Sequence, residues 1–113
     1  VAIVEKQNMQ VLIVCAAGAS STFVAQRIRR AAAARGLALS TVPSSFAAAR
    51  ELVAASDVVM AGGHLGDDVA RLGTIASAAH VPFVVVDDAT RQDGDTLLDT
   101  TLAALAVDDG RIS

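Results

Sequence analysis

Residues 11–14 read Val-Leu-Ile-Val, and the run does not alternate with polar residues. Four consecutive apolar, largely β-branched residues suit a strand buried on both faces, as in a parallel sheet with helices above and below. A second run of this kind, Phe-Val-Val-Val, stands at 83–86. Between them the apolar spacing changes to that of helices. Residues 20–35 set Phe23, Val24, Ile28, Ala31 and Ala32 on one face and leave Gln26, Arg27, Arg29 and Arg30 mostly outside it. Gly36 is a natural helix stop.

The alternation continues down the chain. Residues 37–42 read as a second strand, closed by Pro43, and Ser44 or Ser45 can cap a helix through about Ala55. Phe46, Ala49, Leu52 and Val53 face inward in that helix. A third strand over 57–60 runs into a glycine-rich loop, 61–66. Asp67 and Asp68 are acidic helix starters, with Val69, Leu72, Ile75 and Ala76 on the buried side. After the strand at 83–86, residues 87–94 form a polar loop. Asp95 or Thr96 then caps a last helix, with Leu97, Leu98, Leu102 and Leu105 inward. The pattern is (βα)4, of class α/β: a four-stranded parallel sheet with helices on both faces and right-handed crossovers. Residues 1–9 read as a lead-in, 10–107 as one domain and 108–113 as a frayed C-terminal tail.

Composition narrows the function. Aromatic residues make up 3% and the net charge is −3, so neither base stacking nor a basic phosphate-binding face is available for nucleic acid. No apolar run approaches the roughly 20 residues of a membrane span. The single cysteine excludes an internal disulfide and suits a reducing compartment. With only two histidines beside it, no metal-ligand spacing arises.

That cysteine, Cys15, directly follows the first strand. A small-residue stretch, Ala16-Ala17-Gly18-Ala19, and three hydroxyl residues, Ser20, Ser21 and Thr22, come next. In open parallel sheets ligands bind outside the carboxyl ends of the strands, near the point where strand order reverses. A helix N-terminus at such a junction offers unpaired N–H groups and partial positive charge, which lowers a thiol pKa and attracts phosphate. Small residues let backbone approach the phosphate closely. Cys15 therefore reads either as a nucleophile that takes up a phosphoryl group, or as a small buried side chain at a strand end. The three hydroxyls read either as phosphate ligands or as helix caps.

Two cysteine chemistries share this layout. Small tyrosine phosphatases place an arginine six residues after the cysteine. Here that position is Ser21, and no arginine precedes Arg27. Asp87 or Asp88 is available as a general acid, but without the arginine grip a stand-alone hydrolase is the weaker alternative. A non-catalytic interaction domain is the third reading. His64 and Asp87 lie on loops of the same sheet edge and are possible site-edge residues. His64 reads more readily as an exposed loop residue, and His80, on the opposite edge, as inert. Arg27, Arg29 and Arg30 form a solvated face, or one of them meets an acidic patch on a partner.

The run from Cys15 to Thr22, between an apolar strand and a helix, resembles the enzyme IIB component of the bacterial phosphoenolpyruvate-dependent sugar phosphotransferase system, lactose/cellobiose/chitobiose class. The resemblance extends from about Gln10 to Leu105. Residues 57–64 resemble a family segment ending in Gly-Pro-Gln, with Gly63 and His64 replacing Pro and Gln, and Ala19 stands where the family often has Met. Residues 84–87 resemble its last strand and following Asp. The resemblance implies a phosphatase/flavodoxin-like three-layer sandwich. It also implies that Cys15 takes phosphate from a phosphohistidine of enzyme IIA as a phosphocysteine. Residues Ala16, Ala17, Gly18, Ala19, Ser20, Ser21 and Thr22 would form the phosphate loop. The phosphate would pass to a sugar, such as cellobiose, chitobiose or lactose, imported by membrane enzyme IIC. No metal or other cofactor is implied. The expected location is the cytoplasm, peripheral to the inner membrane face through enzyme IIC.

Overall fold

Four parallel strands form one sheet in the order β2-β1-β3-β4: β1 Met9–Val14, β2 Leu39–Ser44, β3 Val58–Gly62 and β4 Phe83–Val86. The computed structural model describes residues 9–14, 18–62, 67–86 and 92–112, with the backbone alone for 18–21 and 106–112. The helices are α1 Gly18–Ala34, α2 Phe46–Leu52, α3 Asp67–Ala78 and α4 Gly94–Ile112, and a 3-10 turn, Val53–Ala55, prolongs α2.

The non-alternating run of β1 has the burial it requires: Val11, Leu12, Ile13 and Val14 are all buried. Their side chains divide by the strand period of two. Val11 and Ile13 join Val58, Met60 and Val86 under Val24 and Ile28 of α1 and Leu97 and Leu98 of α4. Leu12 and Val14 join Val59 and Ala61 under Ala49 and Val53 of the α2 segment and Leu72 and Ala76 of α3. Two cores on opposite faces of one sheet make the three-layer sandwich. The helices segregate because right-handed crossovers place α1 on one face as the chain steps from β1 out to β2. They place α2 on the other as it steps back across β1 to β3.

Local signals explain several element ends. Gly36 has φ +72, the Leu37 amide donates to the Ala32 carbonyl at 2.8 Å, and the Gly36 amide donates to Ala33 at 3.1 Å. This is the Schellman closure expected of a glycine C′ position. The same two bonds close α3, from Val81 to Ala76 at 2.9 Å and from His80 to Ser77 at 3.1 Å. There the left-handed residue is His80, φ 59, which carries a Cβ. Ser45 caps α2, its hydroxyl accepting the Ala48 amide at 3.5 Å.

The structure departs from the sequence reading at several points. β2 runs on through Pro43 to Ser44. It is an edge strand, so an absent N–H removes no bond from a neighbour on the open side. β3 continues through Ala61 and Gly62, both buried, where a loop was expected. The α4 cap is Asp93, not Asp95 or Thr96: its Oδ1 accepts the Thr96 amide at 2.8 Å, and Gly94 already belongs to the helix. The backbone of α4 persists to Ile112, through the stretch read as a frayed tail. Phe23, placed on the inner face of α1, is 61% exposed, and Ala25 is buried in its stead.

Candidate functional site

The strand register sets three chain segments on one edge of the sheet. Val14 lies beside Ser44 on one side and Ala61 on the other, and Gly62 lies beside Val86. The carboxyl ends of all four strands are therefore nearly level. From this edge the chain leaves β1 at Val14, β3 at Gly62 and β4 at Val86. The crossovers from β1 and β3 depart in opposite directions, so the switch point falls between β1 and β3, the position where open α/β sheets bind ligands.

The expected nucleophile, Cys15, with Ala16 and Ala17, lies outside the described residues, as do the site-edge residues His64 and Asp87. The backbone of α1 begins at Gly18. Gly18, Ala19, Ser20, Ser21 and Thr22 thus form the first turns of the helix and not a loop before it. None of the three hydroxyl residues occupies a cap position outside the helix. Amides in a first helical turn lack intrahelical acceptors, and the aligned peptide dipoles place partial positive charge there. Only residues 15–17 separate the end of β1 from this turn. Thr22 is exposed and engaged in a polar interaction.

The opposite end of the sheet is tied differently. The Gln10 amide donates to Asp57 Oδ2 at 2.8 Å, while the Asp57 amide donates to the Gln10 carbonyl at 2.9 Å. This pair locks the start of β1 against the chain entering β3 and holds the register that levels the strand ends.

Two contacts near the candidate edge were not foreseen. Arg27 is half-buried, and its guanidinium donates to the Gln92 carbonyl at 3.0 Å, tying α1 to the segment leading into α4. The signal was its spacing: position 27 borders the buried stripe of Val24, Ile28 and Ala31. The second contact is Gly94, the first residue of α4. A Cβ there would meet the Arg27 carbonyl oxygen at 2.4 Å and Ala31 Cβ at 3.4 Å. The missing side chain lets α4 lie directly on the α1 backbone. Thr96, through its hydroxyl first and its amide second, holds the Asp93 carboxyl below its ordinary value. At the other end of α1, Arg35 pairs with Asp99 at 2.8 Å and Asp95 at 3.1 Å.

No helix among the described residues is long and apolar enough to cross a membrane.

The family model for the PTS system, Lactose/Cellobiose specific IIB subunit, matches residues 10–100. No curated protein matches the chain in sequence. Among solved structures, the cellobiose-specific phosphotransferase IIB component protein of Borrelia burgdorferi is similar at TM-score 0.74 and 23% identity, covering 89% of this chain and 94% of that one. The lactose-specific IIB component domain from Streptococcus pneumoniae is similar at TM-score 0.68 and 15% identity, covering 88% and 93%. At these identities the structural likenesses speak to the fold, which they share with this chain.

Proposed function

This chain belongs to the lactose/cellobiose-specific IIB family of the sugar phosphotransferase system, and from that premise we propose that it carries phosphate on Cys15. The supporting observation is the short connection between β1, which ends at Val14, and α1, which starts at Gly18, at the switch point of the sheet.

In this reading the Cys15 thiolate attacks the phosphorus of a phosphohistidine on enzyme IIA. The S–P bond forms as the P–N bond breaks, and the departing imidazole takes up a proton. Transfer of this kind depends on positioning and charge stabilisation, because the phosphoryl group carries its charge on the oxygens that do not react. Amides of residues 16–20, which precede the first intrahelical bonds of α1, supply the donors for those oxygens, helped by the α1 dipole. The hydroxyls of Ser20, Ser21 and Thr22 are further donors. In the second step a sugar hydroxyl attacks the phosphorus, the S–P bond breaks and the thiolate is regenerated. The sugar, a disaccharide such as cellobiose, chitobiose or lactose, is presented by membrane enzyme IIC. The domain works in the cytoplasm at the inner membrane face.

Intact-mass measurement tests the carrier step. The chain is incubated with phosphoenolpyruvate, the general phosphotransferase proteins and enzyme IIA of the lactose/cellobiose class. The expected result is one acid- or iodine-sensitive phosphate on the wild type and none on Cys15→Ser. No phosphate, with an enzyme IIA shown to be phosphorylated itself, overturns the reading. Turnover of an aryl phosphate without a donor protein would replace it with the hydrolase alternative.

A further inference from the structure

The two apolar runs that suit a doubly covered sheet meet different surroundings. Val11 to Val14 lie in β1, inside the sheet, and all four are buried. Phe83 to Val86 form β4, the last strand of the sheet, and only Val86 is buried. Val85 is 43% exposed, and Val81 and Pro82 just before the strand are half-buried. β4 thus has the composition of a central strand and the position of an edge. The other edge strand, β2, is built as edges usually are. It reads Leu-Ser-Thr-Val-Pro-Ser, mixing hydroxyls with a proline that offers no donor to an incoming strand. β4 itself holds neither charge nor proline.

The open side of β4 has a definite hydrogen-bonding pattern. The Val59 amide donates to the Pro82 carbonyl at 2.9 Å, so the backbone groups of residues 82, 84 and 86 turn toward β3. Those of Phe83 and Val85, two N–H and two C=O groups, turn the other way. An antiparallel copy of β4 centred on Val84 sets Phe83 opposite Val85 of the second copy. All of these outward groups are then used, in four hydrogen bonds. Phe83 belongs to the core under α3, while Val84 and Val86 belong to the core under α4, so Val85 shares the α3 face with Phe83. Each exposed Val85 side chain is thereby covered by a Phe83 ring, an aromatic and β-branched cross-strand pair.

The flanking helices leave room for this approach. α3 and α4 lie over β3 and β4, on opposite faces of the sheet. A Cβ on Gly73 would meet the Phe83 ring at 3.2 Å, so the edge side of α3 is the stripe Ala70, Gly73 and Ser77. Asp95 and Asp99 of α4 turn to Arg35 beside α1, which leaves Thr96, Thr100 and Ala103 on the edge side. No charged residue stands on either stripe. That matters for a second copy in particular, because a two-fold contact sets each group against its own twin and a charge there would repel itself. Two copies of α3 would lie about two strand spacings apart, roughly 9.6 Å, within the 8–10 Å of packed helices. A strip as tall as α3, about 18 Å, and as deep as the three layers covers on the order of 500 Å² per copy. Complexes of that size are weak and transient.

We propose that the β4 edge is a self-association face, on which two copies of this chain join β4 to β4 antiparallel and extend the sheet to eight strands. The carboxyl edges of the two sheets then point in opposite directions, and the two candidate sites lie at opposite ends of the dimer. The inference is independent of the carrier reading.

Sedimentation equilibrium of the full chain from about 10 μM to about 1 mM tests it. The weight-average mass is expected to rise from that of one chain toward that of two, with a dissociation constant on the order of 100 μM. Val85→Lys, at an exposed position, is expected to weaken association about tenfold or more. Val85→Pro removes an outward N–H without touching the bonds to β3 and is expected to act likewise. Ser40→Lys, a charge on the opposite edge strand, is expected to change nothing. Circular dichroism checks that each variant is folded, and Val85→Lys decides alone if the proline variant is not. Hydrogen exchange adds a local readout: the Phe83 and Val85 amides are expected to slow as concentration rises. A mass of one chain across the whole range overturns the proposal. Association that both Val85 variants leave intact lies elsewhere on the molecule and overturns it as well. So does growth beyond two copies, which a closed two-fold contact forbids.

Discussion

Replacing Gly94 by alanine tests how closely α4 must lie on α1. The new Cβ would stand 2.4 Å from the Arg27 carbonyl oxygen, 3.0 Å from its carbon and 3.4 Å from Ala31 Cβ. The first two atoms are helix backbone and cannot rotate aside, so one helix must move. Overpacking of this kind costs about 1–3 kcal/mol. Against it stands a gain of about 0.4–1 kcal/mol from restricting the unfolded chain. The net expectation is a loss of about 1–2 kcal/mol, or a Tm lower by about 4–8 °C for a domain of this size. Gly73 is the matched control. Its Cβ would meet Phe83 Cε2 at 3.2 Å, the edge of a half-buried ring that can yield by a few tenths of an ångström. There the backbone gain of about 1 kcal/mol offsets the strain, and Gly73→Ala is expected to stay near wild type. Urea and thermal unfolding of both variants give the answer. If Gly94→Ala is as stable as wild type, the close helix contact does not exist in solution and the argument for α1–α4 packing is wrong.

The other predictions concern the helix ends. His80→Gly removes the Cβ from a left-handed position that costs an L-residue about 1–2 kcal/mol, partly offset by the greater freedom of glycine in the unfolded chain. The expected gain is about 0.5–1 kcal/mol in urea unfolding, and equal or lower stability would refute the strained cap. Asp93 has its folded pKa lowered by Thr96, so its contribution is present above the ordinary carboxylate range and is lost as pH falls through the folded value. Asp93→Asn, which keeps a capping oxygen, is expected to flatten that part of the acid limb in an unfolding series taken downward from neutral pH. A limb as steep as wild type would mean that another carboxylate carries it.

The central strand was readable because Val11 to Val14 leave no polar side for solvent, and only a doubly covered strand accepts that pattern. The helix stop at Gly36 was readable because a left-handed C′ position favours glycine. The cysteine-to-hydroxyl run pointed to the family that the match over residues 10–100 establishes. Helix was readable from Ser20 onward, but the earlier start at Gly18 was not, because glycine and alanine here suit a tight loop and a first helical turn alike.

What the sequence determined by itself was everything governed by neighbours a few positions away: the period of each segment, the apolar strings and most chain reversals. Tertiary structure decided what depends on who lies opposite. Pro43 could remain in a strand only because that strand took the sheet edge, and Arg27 turned inward only because Gln92 arrived beside it. Asp93 displaced Asp95 as the cap because Gly94, lacking a Cβ, let α4 start two residues earlier, against the Arg27 backbone. Phe23 stayed in solvent because the stripe that α1 turns to the core, Val24, Ala25, Ile28, Ala31 and Ala32, leaves position 23 outside its edge. Burial is a property of the partner surface as much as of the residue, and no local pattern contains the partner.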